Sequence, residues 1–455
     1  MTGPKQHEQW SSRIIFLLSA IGAAVGLGNI WKFPYMMGAN GGSAFVLVYL
    51  LVIIFIAIPI LVAEIMLGRR GRQSPPNSVA IIAREEGRSR AWSVVGWLGV
   101  VSAYLIMTYY SVIAGWVMSY IIRTGAGNFS GQDADAVAAE YSSLLADPWQ
   151  LTFWHAIFMV LTLVILVRGL RAGIETAMKM MMPALFAILL AMVGYAAVEG
   201  DLMAGLHFMF DFDFSAITGK VVLMAIGHAF FSIGVAMGLM MGFGAYLGKD
   251  VSIGRSALII ASVDTLVALL AGIAIFPLVF ANGLDPAQGP GLIFVTLPIA
   301  FGNMTGGLVF GTLFFILLFF AALTSSIGSL EPPVAWVEER FGVKRATAAA
   351  LVCGSAFLLG MGSVLSFNLL SGWHPLGFAE RFAEYGIFDL LDYLTANIMM
   401  PLGGLLLAVF VGWKVAPAAV AEHVDMKNQM VFKAWFWLLR FVVPVSIAGI
   451  FISNL

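Results

Sequence analysis

Apolar runs long enough to cross a bilayer recur from one end of this 455-residue chain to the other, and that repetition limits the fold more than any single motif. A hydrocarbon core of about 30 Å calls for roughly 20 apolar residues per helical crossing. Inside it every backbone amide and carbonyl must be bonded within the protein, which leaves helices and closed barrels. The runs here have helical length, and 60% of residues are hydrophobic against 11% charged. An all-α polytopic membrane protein is predicted, with eleven spans near residues 13–39, 42–68, 91–123, 149–167, 174–198, 215–246, 256–281, 305–338, 346–366, 387–413 and 433–453. The single cysteine, Cys353, excludes an intrachain disulfide, a cysteine-rich metal site and a CxxC redox motif. The first ten residues are polar and lack a signal-peptide core, so the first span is expected to act as its own uncleaved insertion signal.

Orientation follows from the basic residues of the short loops. The second-to-third connection carries Arg69, Arg70, Arg72, Arg84, Arg88 and Arg90. Later loops on the same side carry Arg168 and Arg171, then Lys249 and Arg255, then Arg340, Lys344 and Arg345. The opposite loops are acidic, with Asp133, Asp135, Glu140 and Asp147, then Asp201, Asp211 and Asp213. A cytoplasmic N-terminus is expected, and an odd span count places the C-terminus outside.

The first span contains Ile21–Pro34, reading IGAAVGLGNIWKFP. As a continuous helix its apolar segment would run roughly 40 Å, longer than the hydrocarbon core. Gly22, Gly26 and Gly28, followed by Asn29, favour unwinding at mid-depth. The sixth span is likewise long and is interrupted by Ser232, Gly234, Ala236, Gly238, Gly242 and Gly244. Spans one and six hold equivalent places if residues 13–198 and 215–413 are two five-span repeats of opposite orientation, followed by an eleventh helix at 433–453. Paired interrupted spans point to a transporter's central site. Glycines that merely let helices pack explain one such span better than two in register.

Asp264 lies within the apolar run Ser256–Ala281. A mid-span aspartate costs about 2.5–3.5 kcal/mol on insertion scales, so it calls for a partner. The nearest basic residue in its own span is Arg255, two turns away, which favours a bound cation over a structural ion pair. Thr324, Ser325 and Ser326 cluster in the eighth span, where such hydroxyls by themselves often only bond the preceding turn. Glu64 could accept hydrogen bonds from freed amides or pack as a protonated acid. Gly26-x-Gly28 leads to Trp31 and follows no strand, so it is not a dinucleotide fingerprint, and the histidines lack metal-site spacing. Carbonyls, one amide, a carboxylate and hydroxyls are hard oxygen ligands that suit a small monovalent cation.

With these residues in hand, the chain strongly resembles the neurotransmitter:sodium symporter family. The resemblance rests on AVGLGNIWKFP at Ala24–Pro34, NGGSAF at Asn40–Phe45 and IPILVAEIMLG at Ile58–Gly68. It continues in FFSIGVAMG at Phe230–Gly238, DTLVALLAG at Asp264–Gly272 and FFAALTSSIGSLE at Phe319–Glu331. The generalisation about paired broken spans was drawn partly from this family, so it is not independent support. Eleven spans look like bacterial members. The resemblance implies a leucine-transporter fold (a 5+5 inverted repeat plus one helix), a multi-pass protein of the bacterial inner membrane, and sodium-coupled uptake by alternating access. It implies one sodium site formed by the Ala24 carbonyl, Asn29, Ser232 and Asp264, completed by the substrate carboxylate. A second would use the carbonyls of Gly22, Val25 and Ala321 with the hydroxyls of Thr324 and Ser325. Sharing one ion with the substrate makes their affinities rise together.

Monoamine-carrying members have an aspartate where this chain has Gly26, so the substrate is expected to bring its own carboxylate, met by Tyr110 and the helix beginning near Asn29. Its amine would rest on carbonyls near Ala24, Phe231 and Ser232. Ile106, Phe231, Gly234, Met237 and Ser329 would form an uncharged side-chain pocket, with Ser325 also at the substrate. A neutral, hydrophobic or aromatic L-amino acid follows. Lys32 would face Asp392 at the outer gate, without the fork of the family's arginine. At the inner gate, beside Trp10, His7 aligns with the family's arginine, which puts pairing with Glu339 in doubt. Ala268 replaces a chloride-ligating serine while Asp264 supplies fixed negative charge, so chloride-independent transport is expected. Gly173 and Pro183 bracket the start of the fifth span, where unwinding could open a water path to the second sodium site; a proline near a helix start fits equally well, and Gly173→Ala should slow inward release if unwinding matters. No nucleic-acid partner is expected, and a monomer or weak homodimer is. A sodium- and amino-acid-binding sensor without appreciable flux is the alternative, separable by counterflow in proteoliposomes. No nucleophile–base pair or metal-ligand set suggests an enzyme.

Overall fold

The computed structural model describes residues 9–289, 291–424 and 426–454, so His7 lies outside the described residues. Within them the chain is helical and contains no strand. Nine helices are long and apolar enough to cross a membrane: Ser43–Gly71, Arg90–Gly125, Pro148–Val167, Leu170–Glu199, Ile253–Ala281, Gly307–Phe341, Arg345–Leu365, Ile387–Lys414 and Gln429–Gly449. Arg13–Ala24 and Gly28–Ala39 form a bent pair at 49° that makes a tenth. Gly219–Ile233 and Leu239–Ala245 take the sixth place in chain order; neither piece is long enough to qualify alone.

The connections are more ordered than the sequence suggested. Pro75–Glu85, Ala134–Ala146, Leu202–Phe210, Leu297–Asn303 and Pro417–Val424 are short helices. Four of the acidic residues read as loop charge are caps: Asp133 accepts from the Ala136 amide, Asp147 from those of Trp149 and Gln150, Asp201 from Ala204 and Asp213 from Ser215, satisfying first-turn donors that a helix leaves free. Loops read as lying on one side do gather at one end. There Arg171 donates to the Gln9 carbonyl, Arg345 to the Leu166 carbonyl, Arg69 to the Val251 carbonyl, and the Ser74 amide to Glu339. The opposite end joins Ser43 to the Asp211 carbonyl, the Gly131 amide to Gly302, and Asn368 to Leu145.

The two interrupted spans break by different means. In the first, the helix ends at Ala24 and Val25 turns to an extended ψ of 106°. A wide-turn helix over Gly28–Lys32 restarts the span. In the sixth, Gly234, Ala236 and Gly238 take positive φ of 69°, 65° and 70°. That is inexpensive for the glycines and strained for Ala236. Glu64 compensates: its Oε1 accepts the Gly238 amide at 3.1 Å from a buried position. Acceptance from a freed amide, one of the two readings of Glu64, is present at Oε1; the buried Oε2 has no partner among the described residues, which leaves the protonated acid open.

The fifth span is not unwound between Gly173 and Pro183 in this conformation. A wide-turn segment covers Leu170–Glu175, and regular helix from Thr176 to Glu199 carries Pro183 inside it. A methyl added at Gly173 would run into the Ile165 carbonyl oxygen, so this glycine permits close approach of the fourth span as well as loosening its own.

Candidate functional site

The two breaks lie against each other and against the third and eighth helices. Between them is a cavity of about 30 Å³ lined by Ala24, Gly26, Ile106, Tyr110, Phe231, Ser232, Gly234, Met237, Ser325 and Ser329. All ten residues assigned to a substrate site from sequence therefore share one cavity, with Ala23, Gly28, Met107 and Leu239 completing the wall. Space of that size holds about two waters, so a bulky ligand has to displace mobile side chains such as Met237.

Gly26 is fixed by its surroundings. Its amide donates to Asn29 Oδ1 at 3.0 Å, and the next amide, Leu27, donates to Tyr110 Oη at 3.1 Å. A Cβ at Gly26 would overlap Ser325 Oγ and lie 3.0 Å from Tyr110 Oη. The cavity therefore has no room for an acidic side chain at this position. On the sixth span, Gly234 carries no such crowding; its positive φ accounts for it.

On one side of the cavity Asn29, Ser232 and Asp264 form a buried cluster. Asn29 Nδ2 donates to Asp264 Oδ1 at 2.8 Å, to the Asp264 carbonyl at 3.1 Å and to Ser232 Oγ at 3.0 Å. Ser232 Oγ in turn donates to Asp264 Oδ2 at 3.1 Å, and Tyr49 Oη lies 3.3 Å from Ser232 Oγ. The cluster is the expected one, but the Asn29 amide is reversed: its nitrogen, not its oxygen, faces the carboxylate. A buried carboxylate takes the best available donor. Half a turn of the isosteric amide would bring the oxygen round toward a cation placed there.

On the other side the first and eighth spans meet. Ser325 Oγ donates to the Val25 carbonyl at 3.1 Å. Thr324 Oγ1 donates to the carbonyls of Phe320 at 2.9 Å and Ala321 at 3.1 Å, which leaves its lone pairs outward. A Cβ at Gly328 would overlap that of Ala23, so glycine permits this close approach. Gly22 packs directly on the sulfur atoms of Met178 and Met182 of the fifth span, since a Cβ there would lie only 2.7 and 2.8 Å from them.

Toward the acidic-loop end the cavity is closed by Lys32, whose Nζ lies 3.2 Å from Asp392 Oδ1 and 4.4 Å from the Phe231 ring centre. Tyr109 Oη also donates to Asp392 at 3.2 Å. The Lys32–Asp392 pairing expected from sequence is present. At the basic-loop end the pairing of His7 with Glu339, which the sequence left in doubt, lies outside the described residues. Trp10 is buried on Phe243, its Nε1 donating to the Phe243 carbonyl at 3.0 Å, whereas Glu339 binds the Ser74 amide at 2.7 Å and Asn77 Nδ2 at 2.7 Å. The ion cluster at this end is instead Arg345 with Glu331 and Glu338, joined by Tyr246 Oη donating to Glu331 at 2.9 Å. Sequence reading missed it; the clue was Glu331, an acid at the end of the hydroxyl-bearing apolar run. These residues edge a cavity of about 560 Å³ that also reaches Gly242 and Ala245. Among the described residues no group of three or more His, Cys, Asp or Glu could hold a metal; the available donors are hydroxyls, amides and carbonyls around one carboxylate.

A bundle of membrane-crossing helices with two facing breaks around a small cavity, flanked on both sides by oxygen donors, defines a secondary transporter. A sequence model of the sodium:neurotransmitter symporter family matches residues 7–131 and 139–455, and the chain belongs to that family. YhdH, a sodium-dependent transporter of Bacillus subtilis strain 168, is 36% identical over 450 residues, covering 98% of this chain and 97% of its own. The bovine sodium-dependent dopamine transporter is 25% identical over 524 residues, covering 98% of this chain and 70% of its own. Among solved structures, MhsT in complex with L-phenylalanine matches with a TM-score of 0.91 and 38% identity, over 99% of this chain and 100% of that one. The fold is the leucine-transporter fold, and the protein is a membrane transporter rather than an enzyme.

Proposed function

We propose that this protein imports a neutral L-amino acid with an apolar or aromatic side chain, together with sodium, by alternating access and without chloride. The observation that carries the reading is the crowding at Gly26. With Tyr110 and Ser325 filling the place of any side chain there, the site offers a ligand amine only carbonyls, and the ligand must supply the carboxylate. Tyr110 Oη and the amides after Gly26 are the donors for it. The wall of Ile106, Met107, Phe231, Met237 and Leu239 favours an uncharged side chain, and Met237 can repack around different shapes. That MhsT carries L-phenylalanine in its complex supports an aromatic ligand here.

Two sodium ions travel as co-substrates. The first sits among Ala24, Asn29, Ser232 and Asp264 beside the amino acid, and the second among Gly22, Val25, Ala321, Thr324 and Ser325. Asp264 supplies the fixed negative charge that makes chloride unnecessary. The basic-loop end is cytoplasmic, with the N-terminus inside, the C-terminus outside and the outer gate at Lys32–Asp392. A thermal-shift screen of the twenty amino acids in sodium and in potassium tests this. Stabilisation by leucine, methionine or the aromatic amino acids in sodium alone is expected. Stabilisation only by glycine or GABA would refute the pocket reading. Counterflow of the stabilising amino acid in proteoliposomes then establishes flux.

A further inference from the structure

Away from the transport site, an apolar groove of about 320 Å³ opens on the outer face of the bundle at its basic-loop end. Three helices build it. Arg90–Gly125 contributes Trp97, Val101 and Tyr104 at i, i+4 and i+7; Gly307–Phe341 contributes Trp336, Val337 and Phe341; and Arg345–Leu365 contributes Leu351, Val352 and Ser355. The one polar pair in its wall is internally bonded, Tyr104 Oη donating to Ser355 Oγ at 2.8 Å, so it asks nothing polar of an occupant. The Trp97 and Trp336 rings meet edge-on at 4.7 Å near the mouth. Aromatic side chains with a polar edge collect where lipid tails give way to headgroups.

Cations ring this mouth. Arg340 follows Trp336 by one helical turn, and Lys344 precedes Leu351 by two turns on the same face. On this helix the groove is lined from Leu351 to Ser355, about 6 Å, and Lys344 stands about 10 Å beyond Leu351 at the helix start. Arg90 stands two turns before Trp97. Arg340, Lys344 and Arg90 are all exposed and have no ion-pair partner among the described residues. The neighbouring acids are engaged elsewhere, Glu338 by Arg345 and Glu339 by Ser74 and Asn77. An apolar groove with unpaired cations on the helices beyond its mouth complements one kind of molecule that a membrane supplies.

We propose that this groove binds an anionic phospholipid, one acyl chain lying between Trp97, Trp336 and Leu351 and the phosphate held by Arg340, Lys344 and Arg90. Electrostatic attraction of roughly fivefold per basic residue at an anionic surface gives an expected preference of about 25-fold lost when two cations are removed. The test uses the purified full chain in neutral detergent, titrated with dioleoyl phosphatidylglycerol or dioleoyl phosphatidylcholine and read by retention in native mass spectrometry. Selective retention of phosphatidylglycerol is expected. It should fall about 25-fold in Arg340→Gln/Lys344→Gln and also fall in Val101→Phe, which fills the groove and keeps the charge. Both variants should retain the sodium-dependent thermal shift with the stabilising amino acid. Equal retention of the two lipids, or unchanged phosphatidylglycerol retention in both variants, would overturn the proposal. So would a disulfide-linked dimer of Leu351→Cys in nanodiscs, since a second copy would then occupy the groove.

Discussion

Replacing Asp264 by asparagine tests the ion chemistry most directly, because it keeps volume and removes charge. Asp264 is fully buried, and its carboxylate is met by Asn29 Nδ2 at 2.8 Å and Ser232 Oγ at 3.1 Å, with no lysine or arginine among the described residues paired to it. A sodium ion held by this cluster would lie roughly 4 Å from the centre of the carboxylate charge, an attraction of about 4 kcal/mol at an effective dielectric constant of about 20. An asparagine oxygen would still ligate the ion and costs less to bury, which returns part of that energy. A net loss of about 2–3 kcal/mol predicts sodium affinity weakened roughly 30- to 150-fold. The assay is a sodium titration of tryptophan fluorescence at saturating amino acid, repeated with gluconate in place of chloride. The parent should be indifferent to the anion. In Asp264→Asn the missing charge can be restored only by a mobile anion, so chloride should recover part of the affinity. Adding Ala268→Ser should recover more, because it supplies a hydroxyl donor. Sodium affinity within threefold of the parent, or a parent that needs chloride, would refute the reasoning.

Three other substitutions probe the site from different directions. Gly26→Ala places a methyl on Ser325 Oγ and 3.0 Å from Tyr110 Oη; overpacking of about 1–3 kcal/mol should weaken amino-acid binding roughly 10- to 100-fold in a calorimetric titration, and unchanged binding would show that the cavity is elsewhere. Lys32→Gln removes the gate ion pair, whose side chains are 13% and 35% exposed. A partly exposed pair is worth about 1 kcal/mol at most, so dissociation of bound amino acid in stopped flow should quicken about fivefold, and high salt should mimic part of this. Glu64→Ala strips the buried Gly238 amide of its acceptor, a loss of about 1–3 kcal/mol that should lower the thermal midpoint and, through the sixth-span break, amino-acid affinity as well.

Much of this arrangement was legible before any coordinates. The breaks could be read because glycines and Asn29 in a membrane span leave backbone groups that must be satisfied inside the protein, and Asp264 could be read because a mid-span carboxylate needs a partner. Those are composition effects local to one segment. The orientation of the Asn29 amide was not legible, since it depends on which donor a distant carboxylate finds. Nor was the Arg345–Glu331–Tyr246 cluster, whose members come from three helices and look like ordinary loop and helix-end charges in sequence. The short connecting helices escaped for another reason: their apolar faces are only two or three turns long, and capping by Asp133 and Asp201 reads as loop acidity until the chain direction is known.

The fifth span connects these pieces to the transport cycle. Glu175, at the end of its wide-turn segment, is buried and holds the segment before the first helix by both oxygens, accepting from the Ser11 amide at 2.9 Å and the Ser11 hydroxyl at 2.7 Å. One residue earlier Trp10 plugs the bundle against Phe243. One turn further along the span, Met178 faces Gly22, whose carbonyl belongs to the proposed second sodium site. Loosening the start of the fifth span would therefore release the plug and uncover the ion together. Gly173→Ala is an ambiguous probe of this, because its methyl would also strike the Ile165 carbonyl and strain the closed form. Glu175→Ala avoids that clash and, among the described residues, removes besides the Ser11 bonds only a 3.5 Å pair with the half-exposed Lys179. Two hydrogen bonds to a carboxylate, discounted for the exposure of Ser11, amount to about 2 kcal/mol and predict a roughly 30-fold shift toward the released form. Ala245 lines the cavity at the basic-loop end, so Ala245→Cys labelled with a membrane-impermeant thiol reagent in inside-out vesicles reports that release. Labelling should accelerate about 10- to 30-fold when Glu175→Ala is added and less when Ser11→Ala is added, since the latter removes only the hydroxyl bond. Sodium should slow labelling in every background, because an ion held between the first and eighth spans keeps Gly22 in place under Met178. If labelling with Glu175→Ala stayed within twofold of the parent, the segment around Ser11 would not be held by the fifth span, and the two openings would have to be controlled separately.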